Sequence, residues 1–196
     1  RDYKVTGVQT CALPISGLVA IGAMAVSAQA GIVNVAFGTK AYTSAPLYGN
    51  APISKLTDGD RAGVFHGNTA IPAGFSYWID LEKDYSPDRI VIYPRQDGCC
   101  PDRFSNVRVS MLSDDGAGNP GTENWTADLF TDGSNPGSGA GVKVQVTSGM
   151  GAGTFKGRFV KIQALADPVP DYALQVTELE VRSEEHTSEL QSPCNL

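Results

Sequence analysis

Apolar and polar positions alternate with a period of two in several separate stretches of this chain. Phe75, Tyr77, Ile79 and Leu81 alternate with Ser76, Trp78 and Asp80; Val107, Val109 and Met111 with Arg108 and Ser110. The same pattern runs through Val142, Val144 and Val146, through Val160, Ile162 and Ala164, and through Thr177, Leu179 and Val181. A period of two sends successive side chains to opposite faces, so each stretch predicts a strand with one apolar and one mixed face. Arg89-Ile-Val-Ile-Tyr93 is apolar almost throughout and predicts a more fully buried strand. No segment sustains a 3.6-residue period. The intervening stretches, 114–121 and 131–141, are rich in Asp, Asn, Gly and Pro, residues suited to turns. About eight short strands with long loops predict an all-β fold, an antiparallel sandwich or jelly roll.

Composition narrows the picture. The 196 residues suffice for one domain, and 41% hydrophobic residues suffice for a packed core. Lys and Arg number 15 against 21 Asp and Glu, a net charge of -6. That balance argues against nucleic acid as a partner, since non-specific binding needs a basic surface.

Both ends read as translated sequencing adapter. One DNA strand encodes Thr6 to Ile15, and its reverse complement encodes Arg182 to Gln191. Segments 1–16 and 182–196 are therefore set aside as adapter-derived. Residues 17–30 are uncharged and apolar and end in Ala28-Gln29-Ala30, an A-x-A-like cleavage site. They read as the remnant of a secretory signal, too short to span a bilayer. The domain expected is 31–181, secreted, at the cell surface or periplasmic, with no membrane insertion. Within it Cys99, Cys100 and His66 are the only cysteines and histidine.

The segment Arg95-Gln-Asp-Gly-Cys-Cys-Pro-Asp-Arg103 follows the buried strand directly. Adjacent cysteines lie about 3.8 Å apart at Cα across a trans peptide, closer than the usual ~4.4–6.8 Å of a disulfide. Export favours a vicinal bond nonetheless; the alternative is two reduced or intermolecular thiols. A vicinal ring presents a stiff sulfur face for an apolar patch of a ligand. Arg95 and Arg103 are permanently charged and offer several fixed donors each, suited to ring hydroxyls. Asp97 and Asp102 either hold these guanidiniums in place for a sugar or simply pair with them.

Several segments together resemble the fucolectin (F-type lectin) family of discoidin-like, galactose-binding-like domains. They are Asn34-Val-Ala-Phe-Gly38, Leu56-Thr-Asp-Gly-Asp60, Tyr77-Trp-Ile-Asp-Leu81, Asp88-Arg-Ile-Val-Ile92, Arg95 to Asn106 and Leu174-Gln-Val-Thr-Glu-Leu-Glu180. The resemblance spans nearly all of 33–181. It implies an eight-stranded β-sandwich with a saccharide site at one end, Arg95 and Arg103 donating to the sugar and a Cys99–Cys100 disulfide packing against it. The family also uses an upstream histidine. Here the matching positions are Ala70 and Ile71, neither of which can donate, and Gly98 is an extra residue between the arginines.

Asp58-Gly59-Asp60, with Gly67-Asn68 beyond, is a polar loop; it is either an Asp-Gly turn or part of the oxygen-rich shell that a hard cation needs. The resemblance implies a structural calcium held by the Asp58 and Glu178 side chains, Asn68, and the carbonyls of Lys55, Asp60 and Thr177.

The function expected is that of a non-catalytic carbohydrate-binding module, with glycans such as fucose or galactose-like sugars as partners. Alternatives are an extracellular interaction or adhesion domain with a degenerate pocket, or an accessory module of a larger glycan-degrading enzyme. Small sugar sites usually act through multivalency, so an oligomer or a multidomain chain is expected. A single histidine allows no credible Ser-His-Asp set, and Trp78 and Tyr77 read as sheet packing.

Overall fold

The structure is a computed structural model that describes residues 31–47, 49, 51–62, 65–66, 73–165 and 174–184. Ala70, Ile71 and Asn68 lie outside these residues, as do 1–30 and 185–196. The described strands are β1 Ile32–Asn34, β2 Lys40–Thr43, β3 Phe65–His66, β4 Ser76–Tyr85, β5 Arg89–Tyr93, β6 Val107–Asp114 and β7 Pro120–Leu129. They continue with β8 Val144–Val146, β9 Ala152–Gly153, β10 Gly157–Ala164, β11 Gln175–Val176 and β12 Glu178–Glu184. One antiparallel sheet has the order β1-β12-β5-β8, the other β2-β4-β10-β6-β7-β9. A short pair, β11-β3, stands apart. The all-β sandwich read from the alternation is therefore present, with more strands than eight because β1, β2, β9 and the β11-β3 pair are too short to show a period. The last strand runs to Glu184, three residues past the 31–181 boundary.

Register explains the core. Ile79, Val160, Met111 and Trp125 form one cross-strand row of the larger sheet, and Tyr77, Ile162, Val109 and Ala127 form the next. In the smaller sheet Ile92 sits between Leu179 and Val144, and Ile90 between Val181 and Val146. All of these side chains belong to one buried cluster. The strand read as fully buried is so: Ile90, Val91, Ile92 and Tyr93 are all buried. Trp125 is a core residue whose indole N–H donates to the Ser148 carbonyl at 3.1 Å. Gly151 leaves room for it: a Cβ there would lie 2.6 Å from the Trp125 ring and 2.2 Å from the Thr126 carbonyl oxygen.

The outer face of the smaller sheet is not left to water. Residues 57–61 cover it, with the Arg61 guanidinium 4.1 Å above the Tyr93 ring and paired with Glu180. Strands β5 and β12 thus carry two things at one end. The chain leaves β5 at Tyr93 into the Arg95–Arg103 loop, and β12 begins opposite it, at Glu178.

Candidate functional site

The loop after β5 is built around hydrogen bonds that its sequence supplies. Gln96 is the clamp. Its side-chain amide donates to the Pro94 and Val142 carbonyls, both at 2.8 Å, and accepts from the Gly141 N–H at 2.8 Å. The Gly139 N–H donates to the Arg95 carbonyl at 2.9 Å. Gly139 sits at φ +117°, where other residues are strained, so the 131–141 turn reaches this loop through a position suited to glycine.

Cys99 and Cys100 are joined as a vicinal disulfide. Cys100 adopts the left-handed conformation, with φ 56° and ψ 57°, and Pro101 opens a 3₁₀ turn over Pro101–Arg103. Proline suits a first helical position because its missing N–H has no partner to lose there. The turn folds the chain back, so Arg103 comes to the same recess as Arg95. Phe104 caps the turn and is buried, its ring edge-on to Phe130 at 6.1 Å.

Arg95 is half-buried and fixed on two sides. Its Nε donates to Asp97 Oδ1 at 2.8 Å, and a terminal nitrogen pairs with Asp97 Oδ2. The other terminal nitrogen donates to Gln175 Oε1 at 3.0 Å. Three of the five guanidinium N–H groups are thereby used, leaving one on each terminal nitrogen for a ligand. Asp97 also accepts from the Cys99 N–H at 3.2 Å, linking the arginine to the disulfide. The two readings of Asp97 thus merge: it pairs with Arg95 and in doing so orients it.

Arg95, Arg103, Cys100, Phe104 and Gln175 line a shallow recess of about 150 Å³, walled by Pro94, Pro101, Gly137 and Ser138. It is a shallow surface depression and not an enclosed cavity, so a ligand seated here would keep much of its surface outside. Of the residues expected at a sugar site, the structure places Arg95, Cys100 and Arg103 around this recess, with Cys99 bonded beside Cys100. Sequence reasoning missed Gln175 and Gly137-Ser138, which come from distant parts of the chain.

Asp97's carboxyl is held well below the ordinary carboxylate range, chiefly by its hydrogen bonds from Arg95. Its contribution is present above the ordinary pKa of ~3.9 and is lost only as pH falls further. Ligand affinity is therefore expected to be the same at about pH 5 and about pH 7. A loss of affinity over that interval, with circular dichroism unchanged, would contradict this geometry.

The proposed cation ligands fall on the neighbouring face. The Gly59 N–H reaches both oxygens of the buried Glu178 carboxylate at 3.2 Å, placing Asp58 beside it. Asp60 lies in the same covering stretch and Lys55 in the 3₁₀ turn Ile53–Leu56 just before it, and Thr177 precedes Glu178, its hydroxyl donating to the Tyr93 and Pro94 carbonyls. Burial pushes the Glu178 carboxyl up to about 8, opposed by the Gly59 N–H and reinforced by the charges of Asp58 and Glu180. A buried carboxylate beside a second one fits a hard cation, which would remove that repulsion. Among the described residues no three acidic, histidine or cysteine side chains converge, so backbone carbonyls would supply much of the shell.

The family signature described as a NedA-like, galactose-binding domain of the F5/F8 type C group matches residues 55–162. No curated protein sequence matches. The lectin domain of lectinolysin, solved with Lewis B antigen, superposes with a TM-score of 0.57 at 21% identity, covering 78% of this chain and 97% of that one. A fucose-binding module of Streptococcus pneumoniae gives 0.56 at 22%, covering 80% and 99%. The serum fucolectin of striped bass, Morone saxatilis, gives 0.57 at 18%, covering 78% of this chain and 47% of that one. At these identities the solved structures speak to the fold alone. Among the described residues no helix is long and apolar enough to cross a membrane.

Proposed function

Because this chain belongs to the NedA-like, galactose-binding domain family, we propose that it is a secreted or cell-surface, non-catalytic carbohydrate-binding module that takes one sugar unit between Arg95, Arg103 and the Cys99–Cys100 plate. The observation that carries the reading is the fixed Arg95 guanidinium. Among the described residues Asp97 and Gln175 hold it with two N–H groups unspent, at a recess that Cys100 of the disulfide also lines. Hydroxyls of a pyranose accept from the two arginines while an apolar ring face lies on the sulfurs.

Solved neighbours that bind Lewis B antigen and fucose support fucosides as the first ligands to test, with galactosides next. Titration of the purified chain with methyl α-L-fucoside and methyl β-D-galactoside, followed by NMR, is expected to show saturable binding at one site. A glycan screen empty of any ligand would overturn the reading. The chitosan-binding module of a Paenibacillus chitosanase is also a structural neighbour, at 15% identity and a TM-score of 0.55. It favours, as a second reading, an accessory module carried by a glycan-degrading enzyme.

We also assign a structural calcium to Asp58 and Glu178, with Asn68 and the carbonyls of Lys55, Asp60 and Thr177. Bound there, it would tie the covering stretch to the start of β12. Ligand present at ~100 times its dissociation constant stabilises by about 2.7 kcal/mol. At ~2–4 °C per kcal/mol for a domain of this size, EDTA is expected to lower the melting temperature by roughly 5–10 °C, and calcium to restore it. Since the metal must displace the Glu178 proton, its affinity rises from about pH 5 to about pH 8. A melting temperature indifferent to EDTA, with an empty metal analysis, would remove the calcium.

A further inference from the structure

Gln175 is the residue of the recess that neither the motif nor the resemblance singles out as a ligand contact. It is buried, and among the described residues its side-chain nitrogen, Nε2, finds no hydrogen-bond partner. The orientation of the amide is not arbitrary. A guanidinium only donates, so the end of the amide that faces Arg95 must be its oxygen, as found at 3.0 Å. The NH₂ group is thereby forced to the other side. A buried donor left without an acceptor costs about 1–3 kcal/mol, and such groups are rare in folded proteins.

Its backbone is held firmly as well. The Tyr77 hydroxyl donates to the Leu174 carbonyl at 2.9 Å, the Thr177 N–H to the Tyr93 carbonyl at 2.8 Å, and Gln175 pairs with His66 across β11 and β3. The backbone that carries the orphaned donor is thus fixed on both sides of Gln175.

Resting on the saccharide reading above, we propose that Gln175 is a third sugar-contacting donor, its Nε2 giving a hydrogen bond to one ring hydroxyl of a sugar seated in the recess. It does so while its Oε1 fixes Arg95. One amide then serves both as the brace for the arginine and as a specificity element.

The test uses the full chain and the two methyl glycosides with their monodeoxy analogues. In the wild-type protein, sugar is expected to shift the ¹⁵N-resolved side-chain amide signals of Gln175. One analogue is expected to bind about tenfold more weakly than its parent, as the loss of a buried hydrogen bond implies. In a Gln175→Met variant the parent sugar weakens by a similar factor, and the penalty for that one analogue disappears. If Gln175→Met weakens every sugar equally and leaves the deoxy pattern intact, Gln175 only braces Arg95 and the proposal falls. Unmoved Gln175 signals in a wild-type chain that does bind sugar would overturn it too, even if the variant failed to fold. A wild-type chain that binds no sugar would instead overturn the carbohydrate reading itself.

Discussion

Arg95→Ala is expected to abolish detectable sugar binding while leaving the chain folded. Two charge-assisted hydrogen bonds to a ligand are worth about 1.5–3 kcal/mol each, so their loss weakens binding by roughly a hundredfold or more. The truncation also strands partners. Asp97 loses the cation that orients it, and Gln175 Oε1 loses its donor at a buried position. That second loss costs about 1–3 kcal/mol of stability, a melting shift of a few degrees. Arg95→Lys is expected to fail nearly as badly. An ammonium is a point charge on a flexible stem and cannot brace Asp97 twice, reach Gln175 and still face outward. Calorimetric titration beside a thermal melt reads both effects. Binding that survives in Arg95→Ala would move the sugar away from this recess.

Phe104→Ala is expected to have the largest effect on stability. Phe104 is fully buried, packs edge-on against Phe130 and forms the floor of the recess. Removing a buried aromatic ring costs about 3–5 kcal/mol, or roughly 10–15 °C in melting temperature for a domain of this length. Here the cavity opens directly under the ligand. Affinity is expected to fall along with stability, because the 3₁₀ turn that returns Arg103 loses the residue on which it closes. Phe104→Leu fills most of the volume and should recover much of both. Equal losses in the Leu and Ala variants would mean that ring geometry matters more than volume. Denaturant or thermal unfolding read together with a sugar titration separates these outcomes.

The strands that alternate cleanly were legible because one face of each meets the core. Tyr77 and Ile79, Val107 and Val109, and Leu179 and Val181 are buried at the positions the period assigns. Strand β7 was not legible. It opens with Pro120-Gly121 and carries Thr122, Glu123 and Asn124 before its first core residue, Trp125, so its polar half reads as loop. The two arginines and the cysteines were legible because they fall within nine residues of one another in a single loop. Gln175 was not, because a glutamine inside an apolar run carries no signal until the fold brings it to Arg95, eighty positions away in the chain. The brace on the loop from Gln96 is equally silent in sequence, since its partners Gly141 and Val142 come from a glycine-rich stretch that looks featureless.

The pairing of β1 with β12 sets a polarity for the whole body. Ile32 lies opposite Glu184, whereas Tyr93 lies opposite Glu178, where the chain turns toward the recess. Six residues of extended strand separate the two levels, about 20 Å at ~3.3 Å per residue. A tether joined near Ile32 or Glu184 would therefore fix the base and leave the mouth pointing outward. Many copies grafted in this way onto one surface would face a glycan-coated target together, turning a weak grip into adhesion.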